Sequence, residues 1–172
     1  MRSRSAVWLE QRESETNRRK TTNNHNKELM ENIDINYWII TVKEPHCSNI
    51  LRGLKTMEIR RRIPGIDLGD VIFIVRAGED GHIVGACLVW GIYVETVSYF
   101  CNYFRNQHRL KPDQLKEYAK DKRYLAGIEL KRLHLVEDKL NVRHFGYTRA
   151  PQWFYRIKAD FYKNIPTNLI NI

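Results

Sequence analysis

The chain has 172 residues, of which 42% are hydrophobic and 28% charged, and its formal net charge is +9. That length is enough for one ordinary domain with a real core. No apolar run approaches the roughly 18–20 residues that a membrane-spanning helix needs, and no apolar stretch follows the charged N-terminus as a secretory leader would require.

Residues 1–32 read as a separate, disordered or mis-called N-terminal extension, and residues 33–172 as one domain. Arg2 to Asn26 is dominated by Arg, Ser, Glu, Thr, Asn and Lys, with Val7, Trp8 and Leu9 its one apolar cluster. Such a segment buries too little surface to offset its ordering entropy. Arg18-Arg19-Lys20 is either a nucleic-acid contact or part of a solvated tail. Met30 is a candidate start, which would make residues 1–29 an upstream extension; a peptide covering Trp8 in the native protein would overturn that idea.

The aromatic and β-branched run Tyr37 to Val42 predicts a strand, ended by Pro45. Cys47, Ile50, Leu51 and Leu54 follow at helical spacing, with Gly53 placed as a left-handed C-cap. Thr56 to Ile63 alternates as a strand does. Met57, Ile59 and Ile63 point one way, and Thr56, Glu58, Arg60 and Arg62 the other. Arg61 falls on the apolar side, so its head has to snorkel outward or pair with an acid.

Gly69-Asp70 reads as a turn into a strand Val71–Arg76, and residues 78–82 as a hairpin loop into a long strand from Ile83 to about Val97. Both strands are apolar on both faces, as in a closed barrel flanked by helices. Gly85 and Gly91 mark bulges or corners. Ser98 is a candidate cap for a helix running through Phe104. Pro112 suits a helix N1 position, with Leu115, Tyr118 and Ala119 as its buried stripe. Tyr124 to Val136 is another strand, Asn141 to Phe145 is short and irregular, and Pro151 to Ile157 opens a last aromatic-rich segment. The expected class is α+β: a small mixed β-barrel of five or six strands flanked by two or three helices.

The positive excess suits a polyanion, because Lys and Arg release counterions when they bind phosphates. A basic surface with no partner is the alternative. Cys47, Cys87 and Cys101 are widely spaced and make no CxxC pair and no ligand rhythm with the six histidines. They read as reduced thiols of a cytoplasmic protein, with no metal and no cofactor. Cys47 near a helix start is either a thiol of lowered pKa or a buried small hydrophobe. No nucleophile elbow, phosphate-binding loop or dinucleotide glycine pattern occurs.

The densest polar signal is Gly53-Leu54-Lys55-Thr56-Met57-Glu58-Ile59-Arg60. If its polar face lines a pocket, Lys55 offers a cation to a phosphate or carbonyl, Glu58 an acceptor or base, and Arg60 a planar fork for an anion. Burial beside a carboxylate would tune the lysine toward acid–base work. The other reading is a wet strand face on which Glu58 and Arg60 simply pair.

In this order, with Trp38–Val42 and Lys43-Glu44-Pro45 before the octapeptide, Gly69-Asp70 after it and Gly85 inside the next strand, the chain resembles the ASCH family of the PUA-like superfamily. The resemblance runs from about Tyr37 to Phe161. It implies a PUA-like β-barrel with a cleft for RNA or a nucleotide beside a G-x-K-x-x-E-x-R motif, matched here by Lys55, Glu58 and Arg60. Thr56 and Arg62 extend that ligand-binding face. Many relatives carry an aromatic residue where this chain has His46, so His46 reads as a helix-start residue rather than a stacking one.

Three further places are candidates to complete the cleft. Gly127 would permit close backbone approach to a ligand, or mark a packing bulge. Tyr118 is a core residue whose hydroxyl can reach the pocket. Ala150-Pro151-Gln152-Trp153 resembles a late Pro-Gln element of some relatives. There Gln152 could read a base edge, and Trp153 could stack on a base or pack in the core.

The resemblance implies either an RNA- or nucleotide-binding module, with a regulatory role in view, or a hydrolase of a modified nucleoside or of RNA centred on Lys55 and Glu58. One bacterial branch resembles amidohydrolases of acetylated cytidine and carries Thr three residues after the lysine. Glu58 stands there in this chain, so that activity does not transfer directly. Oligomeric state is not legible.

Overall fold

A computed structural model describes residues 35–62, 64–136 and 140–170. The expectations for residues 1–32 lie outside them.

Among the described residues six strands form one mixed sheet in the order β2-β5-β4-β3-β1-β6. They are β1 Tyr37–Val42, β2 Met57–Arg60, β3 Val71–Arg76, β4 Ile83–Thr96, β5 Tyr124–Leu135 and β6 Tyr155–Arg156. β1 and β3 pair in parallel, which requires a crossover; α1 (His46–Leu51) and β2 lie on it. The remaining neighbours pair antiparallel. The chain passes from β3 to β4 through a tight loop in which Gly78 and Gly81 take positive φ of 89° and 71°. A left-handed backbone there costs glycine little and other residues more.

Alternate side chains of β1 and β3 enter two different cores, which explains why β3 reads as apolar on both faces. Tyr37, Ile39, Val71, Phe73 and Val75 enter one core with Phe145, Ile157 and Leu169. Ile40, Val42, Ile72 and Ile74 enter a second core with Cys47, Ile50, Cys87 and Ile128. Each fully buried side chain of this size contributes about 1.5–3 kcal/mol. A third cluster joins Met57 and Ile59 of β2 to Phe100, Leu115, Ala119 and Leu125, and so docks the helical segment on the edge of the sheet. Cys47 is fully buried, and burial pushes its thiol pKa up, as befits a small hydrophobe rather than a reactive thiolate.

The helical segment comprises α2 (Val97–Tyr103), α3 (Arg105–His108) and α4 (Pro112–Ala119). Two expectations need correction, and at Gly127 the contacts favour one of the two readings. The cap of α2 is Thr96, whose hydroxyl accepts from the Tyr99 N–H at 3.2 Å, and not Ser98. The second strand runs from Met57 to Arg60, where it pairs with Glu129 to Ala126 of β5, and Thr56, Arg61 and Arg62 are not part of it; Ile63 lies outside the described residues. Gly127 is a packing glycine, since a Cβ there would lie 2.5 Å from the Phe100 ring and 2.9 Å from the Met57 sulfur. Gly91, by contrast, sits at a register shift between β4 and β5, as a bulge glycine should.

Asp70 is a buried acid that the strand pattern did not single out. Its carboxylate accepts from the backbone and side-chain nitrogens of Asn36 at 3.1 and 3.2 Å, from Trp38 Nε1 at 2.7 Å and from the Asp67 N–H at 2.9 Å. It ties the start of β1 to the turn before β3.

Candidate functional site

β2 lies at one edge of the sheet, and no backbone ladder joins it to β1. Instead the Arg60 side chain crosses the seam and donates from a terminal nitrogen to the Thr41 carbonyl at 3.2 Å. Its guanidinium carbon lies 5.3 Å from the centre of the Phe154 ring and 5.9 Å from that of Trp153, within cation–π range. A cavity of about 860 Å³ opens along this seam. Its walls come from the end of β1 and the following turn (Thr41, Val42, Lys43), from His46 of α1, and from Lys55, Glu58, Ile59 and Arg60. Ala77 and Gly78, then Leu110, Gln114 and Tyr118, and finally Ala150, Pro151 and Gln152 complete it.

The polar centre is a buried chain of charges. Lys55 Nζ stands 3.3 Å from one Glu58 oxygen, and an Arg60 nitrogen stands 3.1 Å from the other. The Lys55 ammonium also donates to the Met57 carbonyl at 2.7 Å and to the His108 carbonyl at 3.1 Å. An ammonium has three protons, and here each has an acceptor within the protein. Burial pulls the Lys55 pKa down while Glu58 works against that pull. Burial pushes the Glu58 carboxyl up, but Lys55 and Arg60 together outweigh it and hold it below the usual value. Glu58 is therefore a carboxylate at neutral pH. His46 is held down by burial and by Lys55, so it is a neutral imidazole there.

His108 is fully buried behind this centre. Its Nδ1 accepts from the Leu110 N–H at 3.0 Å, which leaves Nε2 to donate to the Phe100 carbonyl at 3.1 Å. Burial lowers its pKa and favours that neutral tautomer. His108 is thus a scaffold for the carbonyl that Lys55 grips.

Not all polar atoms in the wall are used internally. Among the described residues, Thr41 Oγ1, His46 Nδ1 and Arg60 Nε are buried without a hydrogen-bond partner, and all three residues line the cavity. Buried polar atoms are normally paired, so these are places for a ligand or water to bond. Lys43, Lys55 and Arg60 set three cations against the single carboxylate of Glu58 in the lining, a balance that favours an anionic ligand.

No protein-family model matches the sequence, and neither does any curated protein. Solved structures do match. The crystal structure of ASCH from Zymomonas mobilis superposes with a TM-score of 0.67 at 18% identity, over 74% of this chain and 91% of that one. A tyrosine-to-phenylalanine mutant of the same protein gives 0.67 at 18%, over 74% and 94%. A serine-to-alanine mutant gives 0.68 at 18%, over 74% and 92%. The fold is that of an ASCH protein. The expected α+β class is borne out, with a six-stranded mixed sheet among the described residues that carries the ASCH-like fold.

Within this fold the sequence-predicted residues separate into two groups. Lys55, Glu58, Arg60, Tyr118 and Gln152 line one cavity although they are distant along the chain. The Tyr118 hydroxyl donates to the Ile59 carbonyl at 3.3 Å, so it braces β2 from the cavity wall. Thr56 and Arg62 are exposed and do not line the cavity. Trp153 also stays out of the lining; it is half-buried against the second core and backs Arg60. Gly127 lies under Phe100, on the far side of β2 from Glu58. Arg61 does snorkel, with its guanidinium carbon 5.6 Å from the Tyr118 ring centre.

Four lining residues with polar or charged side chains escaped the sequence reading as site residues: Thr41, Lys43, His46 and Gln114. His46 begins α1 as expected, and it also faces the cavity. Gln114 carried a legible signal, since it stands four residues before Tyr118 on one helix and so shares its face. Among the described residues no three His, Cys, Asp or Glu side chains cluster as metal ligands do, and no helix is long and apolar enough to cross a membrane.

Proposed function

We propose that the protein is a cytoplasmic RNA- or nucleotide-binding module and that the seam cavity takes a nucleobase with its sugar. The observation that carries this reading is the convergence of the buried Lys55–Glu58–Arg60 chain with Gln152, Tyr118 and His46 around about 860 Å³. A concave site of this volume accommodates a drug-sized ligand. Its polar groups supply both acceptors and donors: the Glu58 carboxylate, the Gln152 amide, Thr41 Oγ1, His46 Nδ1 and Arg60 Nε. The net positive charge of the lining suits a ligand that carries a phosphate ester.

Binding is preferred to hydrolysis for a specific reason. A lysine that acts as a base or a proton donor needs a lone pair or a proton free for substrate. The Lys55 protons all point to Met57, His108 and Glu58. Lys55 accordingly serves to position the Glu58 carboxylate and the His108 carbonyl. Glu58 accepts from the ligand with the oxygen capacity that two cations leave open.

The test is a side-by-side assay of wild type and Lys55→Ala against acylated nucleosides and short RNAs, with calorimetric binding measured on the same panel. Wild-type binding without turnover is the expected result. Turnover by wild type that disappears in Lys55→Ala with the fold intact would replace the binding reading by a hydrolase. Acid–base groups typically contribute about 10²–10⁴-fold, well beyond assay scatter.

A further inference from the structure

Beside the seam cavity lies a smaller cleft of about 330 Å³, lined by Arg105, Asn106, Arg109, Leu110 and Lys111. Leu110 lines both spaces, so the two are adjoining. Among the described residues, the walls of the cleft hold three cations and no acid. Among the described residues, none of the three forms an ion pair. All three are exposed.

The cations converge because the chain turns sharply at Arg109, which takes a left-handed φ of 60° at the end of α3. That conformation is uncommon for a residue other than glycine, and three contacts from the motif segment hold the turn. Arg109 Nε donates to the Leu54 carbonyl at 2.9 Å. The Thr56 N–H donates to the Gln107 carbonyl at 3.0 Å. Lys55 Nζ donates to the His108 carbonyl at 3.1 Å. The lysine that fixes Glu58 in the cavity therefore also fixes the backbone of the basic turn, and the two spaces are built as one unit. On the far side, the Gln114 side chain of the cavity wall accepts from the Lys111 N–H at 2.9 Å.

We infer that the Arg105–Lys111 turn is a phosphate subsite, which holds the phosphate ester of the nucleoside seated in the cavity. This rests on the nucleotide-binding reading of the cavity and adds the position of the charge. Arg supplies planar forks and Lys a point charge, the pairing that proteins use for phosphate oxygens. The phosphate comes either from a single nucleotide or from the backbone of an RNA strand, and the two differ in what else must bind.

The test uses the full chain and a double variant, Arg105→Gln/Lys111→Gln, which leaves the anchoring Arg109 in place. A thermal melt confirms that it is folded. The probes are the four nucleosides, their 5′- and 3′-monophosphates, and a mixed-sequence single-stranded RNA 12-mer. Wild type should prefer phosphorylated probes to nucleosides, and the double variant should lose that preference by about tenfold, with the RNA salt slope reduced by about one contact for each residue changed. Loss of preference among monophosphates assigns the subsite to a single nucleotide; loss for the 12-mer alone assigns it to a strand. Unchanged binding of every phosphorylated probe by the double variant would overturn the subsite. Gln152→Ala serves as the cavity control. If it weakens nucleoside binding while the double variant changes nothing, the cavity reading stands and the subsite fails. If the double variant weakens RNA binding and no nucleoside binds wild type, the subsite stands and the cavity reading fails. Failure of wild type to bind any probe overturns both.

Discussion

Glu58 and Asp70 are both buried acids, and they are stabilised in opposite ways. Asp70 collects four N–H groups from Asn36, Trp38 and Asp67 and has no cation among its hydrogen-bond partners. Glu58 stands between two cations, Lys55 and Arg60, at the wall of a cavity. An acid closed in by neutral donors fastens two segments together and offers nothing outward. An acid held by charges at the edge of a cavity keeps its charge and its remaining lone pairs for whatever enters. The difference separates a structural carboxylate from a functional candidate without reference to any relative.

The largest effect expected is from Glu58→Ala. It leaves the Lys55 and Arg60 charges buried without their partner, which costs about 3–5 kcal/mol. Urea unfolding at neutral pH measures this, and a loss below 1 kcal/mol (about a quarter of that estimate) would show that the pair is hydrated. Asp70→Asn keeps the shape but loses acceptor capacity, so it should lower stability and leave the ligand affinity of the folded protein at the wild-type value. A ligand-affinity change in Asp70→Asn would break the distinction between the two acids.

Acid sharpens the comparison. The folded pKa of Glu58 is depressed below the ordinary 4.5. Its contribution is thus fully present above that value and is lost as pH falls through the lower folded value. In Glu58→Gln the group that takes up this proton is gone. The stability of the variant should therefore fall less steeply than that of wild type below about pH 4.5. Chemical denaturation at a series of pH values reads the two slopes; parallel slopes would mean that Glu58 is not held ionised by its neighbours.

Smaller effects follow from single donors. Trp38→Phe removes the 2.7 Å bond to Asp70 and should cost about 1–3 kcal/mol with no effect on ligand affinity. Tyr118→Phe removes one hydroxyl bond to the Ile59 carbonyl and should cost about 0.5–1.5 kcal/mol. Because Tyr118 lines the cavity, its variant is expected to alter ligand affinity as well, and calorimetry on both variants would show whether the two effects separate.

Local chemistry made much of this molecule legible before any coordinates. β1 and β3 were readable to the residue because the apolar side chains of a strand buried on both faces leave no ambiguity of extent. Pro112 and the stripe Leu115, Tyr118 and Ala119 placed α4 by spacing alone. The pairing of Glu58 with Arg60 also followed from the two-residue period of a strand. Tertiary structure decided the rest. The packing role of Gly127 depends on where Phe100 arrives. The saturation of Lys55 depends on a carbonyl contributed by His108, far along the chain. Gln152, Gln114 and His46 meet at one cavity only because the sheet curls until Arg60 can bridge β2 to β1. Periodicity reports which side of its own element a residue occupies. It carries no information about which other element will face it, and a site built across a seam is made of such facings.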